Sequence, residues 1–190
     1  MLGRSAQEAM RVLLVYSLRD ARTLRRPLAS LGDIHIGLSY ISASLKARGH
    51  STRLVVLSSE RPARSLAMAE AAVSEFDPGL VAFTAVSTQY PFIRSVAARL
   101  KARWPERYQV IGGAHVSLRP EEPAQGPFDA WCVGEGDLAA AELADQLAAG
   151  QAPKGIPSLW IRNGDGSIER NPVRDFEPDL DRLPHLDREI

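Results

Sequence analysis

Three short segments combine glycines with hydrogen-bonding side chains, and they are the residues best suited to chemistry. Gly112-Gly113-Ala114-His115 and Gly134-Glu135-Gly136 each follow a short apolar run, and Ser87-Thr88-Gln89 follows another. Because glycines lack Cβ atoms, a bulky planar ring or a nucleotide could lie against the backbone there. The serine, threonine and glutamine can hydrogen-bond amide or phosphate groups, and Glu135 can accept from amides or hydroxyls. Singly, each segment is also explained by turn chemistry. Together, they favour binding of a large ligand.

A fourth segment, Asp33-Ile34-His35-Ile36-Gly37, places an imidazole close to a carboxylate. Neutral imidazole is a good ligand for a transition metal, and a carboxylate that contacts its second nitrogen would orient the ring. For His115 we expect hydrogen bonding rather than metal ligation. His50 and His185 are expected to be structural or solvated.

Five apolar runs rich in β-branched residues predict strands, and each leads to a helical pattern or to a loop before one. The runs are Arg11–Ser17, Thr52–Leu57, Leu80–Ala85, Gln109–Gly112 and Asp129–Val133. Nearly continuous apolar strands need cover on both faces, as in a parallel sheet. Right-handed crossovers then predict a doubly wound, flavodoxin-like (Rossmann-type) α/β domain over residues 1–150, and analogy with other sheets of this kind gives the expected strand order 2-1-3-4-5. This topology brings the four segments to the carboxyl edge of the sheet.

Helices are predicted between these strands from apolar spacing and from their end signals. They cover Gly37–Arg48, about 62–76, Pro91 to about Trp104, and Asp137 to Gly150. Gly49 and Gly150 suit left-handed positions just after a helix, and we expect Asp137 to cap the last one.

Residues 151–190 differ from the preceding domain in composition and in the spacing of their apolar residues. Asn163–Gly166 separates two short runs, Leu159–Ile161 and Ser167–Arg170, and predicts a β-hairpin. From Asn171 the tract is rich in proline and acidic residues, which is typical of an extended linker with little core of its own.

Composition excludes several classes of protein. The formal net charge is zero, so no global charge points to nucleic acid or to an anionic membrane. The first ten residues lack the apolar region of a signal peptide, and no segment approaches the roughly 18 apolar residues of a membrane span. We therefore expect a cytoplasmic protein.

Cys132 is the only cysteine, which excludes an intrachain disulfide or a cluster held by several thiolates. Its apolar neighbours indicate a buried strand residue.

Read in order, the motifs resemble the N-terminal cobalamin (B12)-binding domain of B12-dependent radical-SAM proteins over about residues 11–190. The resemblance is carried by Ile36-Gly37-Leu38-Ser39-Tyr40-Ile41, Lys46-Ala47-Arg48-Gly49-His50, Asp77-Pro78, Gly112-Gly113-Ala114-His115, Pro120-Glu121-Glu122 and Val133-Gly134-Glu135-Gly136-Asp137. The turn at Asn163–Gly166 and the Leu183–Asp187 segment resemble the connection into a radical-SAM barrel.

The resemblance implies a corrinoid at the carboxyl edge of the sheet, used as a methyl carrier or as an electron and radical partner. The residues expected to bind it are Asp33, His35, Ile36, Gly37, Ser87, Thr88, Gln89, Gly112, Gly113, His115, Gly134, Glu135 and Gly136. No catalytic residue is expected in this chain. S-adenosylmethionine and a [4Fe-4S] cluster would belong to a radical-SAM domain, in cis or in trans, because a CxxxCxxC motif needs more than one cysteine. A fragment of such an enzyme is expected over a stand-alone carrier, with no nucleic acid or membrane partner.

Ligation of the cobalt stays open at this point. Asp33-Ile34-His35-Ile36-Gly37 is similar to the DxHxxG motif of other B12 domains, whose histidine binds cobalt, but it is one residue short. His35 could therefore be the axial ligand. Alternatively, loop residues from Val86 to Gln89 cover the lower face of the corrin, and no protein ligand is present.

Other functions of a doubly wound fold fit less well. A nicotinamide site needs GxGxxG after the first strand, where Ser17–His35 offers only Gly32. A receiver domain needs an aspartate after the third strand, which ends at Thr84-Ala85. A nucleotide-binding half-domain is compatible with the glycine pairs. The main alternative is a non-enzymatic α/β binding or protein-interaction module that has lost corrinoid binding and holds a partner through its arginine loop (Arg19–Arg26) or acidic tail.

Overall fold

A mostly parallel sheet organises the chain. The computed structural model describes residues 9–18 and 35–190. Within these ranges the sheet has seven strands in the order β2-β1-β3-β4-β5-β6-β7. They are β1 (Arg11–Leu18), β2 (Ser51–Ser58), β3 (Leu80–Thr84), β4 (Tyr108–Gly112), β5 (Ala130–Cys132), β6 (Leu159–Arg162) and β7 (Ile168–Arg170). The first five are parallel, and their order is the predicted one.

The C-terminal hairpin continues this sheet. β6 runs antiparallel to β5, with Cys132 opposite Leu159 and Ala130 opposite Ile161, and β7 forms the outer edge. Leu159 and Ile161 are buried in the core. The hairpin was predicted, but its place as an extension of the sheet was not, since nothing in the turn indicates what its strands pair with.

Helices cover both faces of the sheet, as a doubly wound fold requires. They are α1 (Ile36–Ala47), α2 (Pro62–Phe76), α3 (Tyr90–Arg103), α4 (Ala114–Leu118) and α5 (Asp137–Ala148). α1 and α5 pack on the face that carries Val12 and Leu14, and α2 and α3 pack on the face of Leu13 and Val15. No helix in the described ranges is long and apolar enough to cross a membrane.

The helix ends confirm two predicted glycines and correct one predicted cap. Gly49 and Gly150 follow α1 and α5 with φ of 88° and 66°, the left-handed conformation that glycine adopts without strain. Asp137 does not cap α5. It is the first residue of the helix, and the cap position belongs to Gly136, which has no side chain to accept a capping hydrogen bond.

A buried histidine ties α1 to α5 at the amino end of the sheet. His50 Nδ1 accepts the Met10 backbone N–H at 3.1 Å, and its Nε2 lies 3.0 Å from Asp145 on α5. Arg48 reaches the same carboxylate at 2.6 Å. His50 is therefore structural, as predicted. Its contacts join the two helices at the edge opposite the candidate site.

Candidate functional site

A cavity of about 410 Å³ opens between α1 and α5 at the carboxyl ends of β3, β4 and β5. Seven of the predicted site residues line it: His35, Gly37, Gly112, Gly113, Gly134, Glu135 and Gly136. They come from three separate loops, so the convergence expected from a parallel sheet is observed.

Small residues keep this cavity open. A Cβ atom on Gly136 would lie 3.5 Å from Ile41 Cδ1 and 3.6 Å from Cys132 Sγ, which is ordinary van der Waals contact. A Cβ atom on Gly112 would touch Cys132 Cβ at 3.4 Å. Any side chain larger than alanine at position 136 would therefore project into the space between α1 and α5.

Gly113 has a different reason to be glycine. Its φ is +97°, and a Cβ atom there would approach Thr84 Oγ1 to 2.6 Å and the Ala85 carbonyl to 2.8 Å. Backbone hydrogen bonds from Ala85 N to Gly112 O and from His115 N to Ala85 O, both 3.2 Å, join the loops after β3 and β4. This close approach fixes the floor of the cavity.

His35 caps the helix that forms one wall of the cavity. It precedes α1, and its Nδ1 accepts the Leu38 backbone N–H at 3.2 Å. Its ring lies edge-on to Tyr16, with the centroids 5.1 Å apart. Burial lowers the pKa of His35, while a backbone hydrogen bond acts in the opposite sense. The neutral form that the cap requires is therefore favoured.

This cap bears on cobalt ligation. A neutral imidazole that accepts at Nδ1 carries its proton on Nε2, which then has no lone pair for a metal. Ligation by His35 stays a prediction, and it would require the cap to break or the proton to move. Asp33 and Ile34, which complete the motif, lie outside the described residues.

The polar side chains of the loop after β3 fall into two groups: Gln89 is hydrogen-bonded to the protein, whereas Ser87 and Thr88 are exposed. Gln89 Nε2 donates to the Ser17 carbonyl at 2.6 Å, and Gln89 Oε1 accepts the Val86 N–H at 3.3 Å. Gln89 thus braces the loop against the end of β1. Ser87 and Thr88 are exposed beside the cavity, as is Ile36 at the start of α1. These exposed residues, here called the rim, do not line the cavity but lie at the same carboxyl edge of the sheet, where a ligand larger than the cavity could meet them.

His115 lies behind this rim. It is buried, stacks on Tyr90 with ring centroids 4.0 Å apart, and places Nδ1 3.1 Å from the Ser87 hydroxyl. Its Nε2 is 3.2 Å from a carboxylate oxygen of Glu122. The hydrogen bond that His115 makes here is therefore with a protein group, the Ser87 hydroxyl.

Several residues that line the cavity were not predicted from the sequence. Tyr40 and Ile41 of α1, Ala140 of α5 and Leu183 of the tail line the cavity. The two helices could have indicated theirs, because residues one turn after Gly37 and Gly136 lie on the same helix faces. Leu183 carried no such signal. The predicted linker is extended but packed on the domain: Arg174 N–H reaches Ser158 Oγ at 3.0 Å, and its guanidinium pairs with Glu142 at 2.7 Å.

A curated relative matches nearly the whole chain. It is an uncharacterized methyltransferase, PH0819, from Pyrococcus horikoshii, 29% identical over 181 residues. The match covers 93% of this chain but 38% of the relative. The chain therefore spans less than half the length of this relative.

Solved structures share the fold at low sequence identity. The radical S-adenosylmethionine methyltransferase TsrM from Kitasatospora setae, with cobalamin and a [4Fe-4S] cluster bound, superposes with a TM-score of 0.71 at 20% identity. The cobalamin-dependent S-adenosylmethionine radical enzyme OxsB, with aqua-cobalamin bound, gives 0.72 at 14% identity. The matches cover 93% and 95% of this chain and 31% and 25% of those proteins.

The family model of the B12 binding domain matches residues 30–144. This range holds α1, the glycine pair after β4, the glycines after β5 and the start of α5, which together enclose the cavity. Since the match spans more than half of the chain and includes the elements that build its site, the chain belongs to the B12-binding domain family.

Proposed function

We propose that this domain binds cobalamin at the carboxyl edge of its sheet and presents it to a radical-SAM domain, in cis or in trans. The cavity between α1 and α5, floored by Gly112 and walled by Gly136, is the observation that carries the proposal. The nucleotide tail, the smaller part of cobalamin, would enter the cavity of about 410 Å³. The corrin ring would then lie outside, over the rim.

The residues present fit such a ligand. The tail carries a planar base, and the cavity of about 410 Å³ between α1 and α5 is the space that could take it. The corrin carries amide side chains, and Ser87, Thr88 and Glu135 are exposed polar groups beside the opening. Binding and orientation of the cofactor are thus the work that this chain can perform.

When bound, cobalamin supplies a cobalt centre that carries a methyl group or electrons. S-adenosylmethionine and a [4Fe-4S] cluster would come from the radical-SAM domain, because this chain has one cysteine. The likeness to a methyltransferase of more than twice this chain's length supports that division of labour. The substrate would be bound by the other domain.

The test is a titration of the chain with hydroxocobalamin, followed by visible absorption and equilibrium dialysis. Gly136→Phe places a ring at the wall of the cavity without a positive φ to strain the backbone. We expect saturable binding by the native chain and a loss of affinity of about tenfold to a hundredfold or more in the variant. Gly164→Phe is the matched control, because Gly164 lies in the hairpin turn with open space around it. It should bind like the native chain.

A failure to bind would also be informative. If neither the native chain nor a longer chain that includes a radical-SAM domain takes up cobalamin, the proposal is wrong. The same fold would then be better explained as a protein-interaction module that has lost corrinoid binding. Equal affinities of Gly136→Phe and Gly164→Phe would instead place the ligand elsewhere on the domain.

A further inference from the structure

Three side chains form a chain of contacts that ends at the rim of the cavity. Glu122 Oε2 lies 3.2 Å from His115 Nε2, and His115 Nδ1 lies 3.1 Å from Ser87 Oγ. His115 is 4% exposed and stacked on Tyr90, so its ring is held between its two partners. Ser87 is exposed. A buried imidazole therefore connects a carboxylate on one side to a hydroxyl that a ligand can reach.

The charge of Glu122 decides where the imidazole proton lies. The Nε2 contact is short but not aligned as a hydrogen bond, so its effect is mainly electrostatic. A carboxylate oxygen 3.2 Å away repels a nitrogen lone pair and attracts an N–H group. In the neutral ring the proton consequently sits on Nε2, and Nδ1 keeps its lone pair.

The tautomer of His115 in turn fixes the direction in which the Ser87 hydroxyl donates its hydrogen bond. Since Nδ1 is an acceptor, the contact of 3.1 Å requires Ser87 to donate its proton to the ring. The oxygen lone pairs of Ser87 then face the solvent side. At the rim, Ser87 offers an acceptor and no donor.

We propose that the Glu122–His115–Ser87 chain makes Ser87 a fixed hydrogen-bond acceptor that selects corrinoid side chains ending in an amide over those ending in a carboxylate. The inference rests on the proposed function. An amide N–H can donate a hydrogen bond to the Ser87 oxygen. A carboxylate can only accept, so its oxygens would be repelled by the lone pairs of Ser87. Ser87 is the contacting residue, and His115 and Glu122 are positioning residues.

The binding test compares hydroxocobalamin with its monocarboxylic acids, in each of which one side-chain amide is hydrolysed. All titrations are made at one alkaline pH. For the derivative altered at the amide that meets Ser87, we expect the native chain to bind about tenfold more weakly than hydroxocobalamin. Ser87→Ala should reduce this ratio towards one.

Glu122→Gln is the decisive variant, because it acts on Ser87 only through His115. It removes the charge that holds the proton on Nε2, so Ser87 can turn and donate, and the ratio should fall to within about threefold of one. Glu121→Gln is the matched control: it removes the same charge one residue away, where Glu121 pairs with Arg170 at 2.7 Å. It should keep the native ratio.

The proton position can be measured without any ligand. In a ¹⁵N-labelled chain, the imidazole signals of His115 are assigned with a His115→Gln variant. We expect a protonated Nε2 and an unprotonated Nδ1 in the native chain, and a mixture of the two neutral forms in Glu122→Gln. A native His115 protonated at Nδ1 would overturn the inference.

The outcomes separate this inference from the proposed function. If neither the native chain nor a longer chain that includes a radical-SAM domain binds a corrinoid, both are wrong. If either binds, but Glu122→Gln and Glu121→Gln discriminate equally between amide and carboxylate, cobalamin binding stands and the role of the three-residue chain is refuted.

Discussion

Asp187 of the C-terminal tail lies against Lys46 of α1, with Oδ2 2.7 Å from Nζ. The same oxygen accepts a hydrogen bond from the Ser42 hydroxyl at 2.5 Å, and the Asp187 backbone N–H reaches the Ser39 carbonyl at 3.3 Å. The carboxylate is 8% exposed. Leu183, four residues earlier, lines the cavity between α1 and α5. The contact with Lys46 therefore holds the segment that borders the candidate site.

Replacing Asp187 by Asn should release this tail. The substitution removes the charge opposite Lys46 and weakens the bond from Ser42, so we expect the free energy of unfolding to fall by about 1–2 kcal/mol. Urea unfolding followed by tryptophan fluorescence measures it, and limited proteolysis should cut the tail faster. Asp175→Asn is the control, because Asp175 is exposed in the same tail. Equal stability of the two variants would contradict the contact.

The same carboxylate should give a defined pH dependence. Burial raises the pKa of Asp187, but the hydrogen bonds from Lys46 and Ser42 lower it more, and the net pKa lies below the ordinary value. A carboxyl whose pKa is lower in the folded chain stabilises the fold above the unfolded-state pKa of about 3.9. That contribution is lost as the pH falls below about 4. Asp187→Asn should be less sensitive to acid over this range than the native chain.

Gly113 should tolerate substitution far less well than Gly49. Both have positive φ, +97° and +88°, so alanine is strained at either position. A Cβ atom on Gly49 meets no atom within 4 Å, whereas one on Gly113 meets Thr84 Oγ1 at 2.6 Å. We expect Gly49→Ala to cost about 1 kcal/mol of unfolding free energy and Gly113→Ala about 1–3 kcal/mol more. Thermal or urea unfolding of both variants gives the difference, and equal losses would show that Thr84 moves aside.

The sequence predicted the architecture because the relevant signals are local. Apolar strands such as Leu80–Thr84, and helix ends such as Gly49, depend on periodicity and backbone conformation, and both were found where expected. The topology then brought Gly112 and Gly136 to one edge without further information. These two steps account for the predicted cavity residues.

The remaining features depend on contacts between distant residues. Nothing around Asp187 indicates that it meets Lys46, 141 positions earlier, and nothing in the hairpin indicates that Leu159 pairs with Cys132. His35 has the residue type of a metal ligand and also that of a helix cap, and only its distance to Leu38 shows the second role. Such choices are made by tertiary packing, which residue type and spacing do not encode.

Cys132 should be inert in the folded chain. It is buried at the end of β5, and burial, with the nearby charges of Glu135 and Asp137, raises its pKa to about 12. The thiolate population is then lower than in the unfolded chain by a factor on the order of 10³. Reaction with a thiol-specific disulfide reagent at about pH 8 should be correspondingly slow and should accelerate as urea unfolds the chain. Rapid labelling in the absence of urea would mean that the cavity opens more widely than the structure shows.

Substitution of His35 should reveal its role as a helix cap through stability. Asparagine is a good N-cap residue, so His35→Asn should unfold within about 0.5 kcal/mol of the native chain, while His35→Ala should lose about 1 kcal/mol. Because burial lowers the pKa of His35, the native chain should lose stability as the pH falls from about 6.5, where the unfolded chain gains the proton first. This loss should be absent in His35→Asn. A slope that persists in the variant would point to another group.

The His35→Asn variant also tests whether His35 is the axial ligand of cobalt. If His35 keeps its hydrogen bond to Leu38 when cobalamin is bound, Nε2 holds the proton and cannot reach cobalt as a ligand. We therefore expect the visible spectrum of the bound cofactor to be the same in the native chain and in His35→Asn, with affinities within about threefold. A spectrum typical of histidine ligation that disappears in His35→Asn would show instead that the cofactor breaks the cap. The free energy of that cap, about 1 kcal/mol, would then be part of the cost of binding.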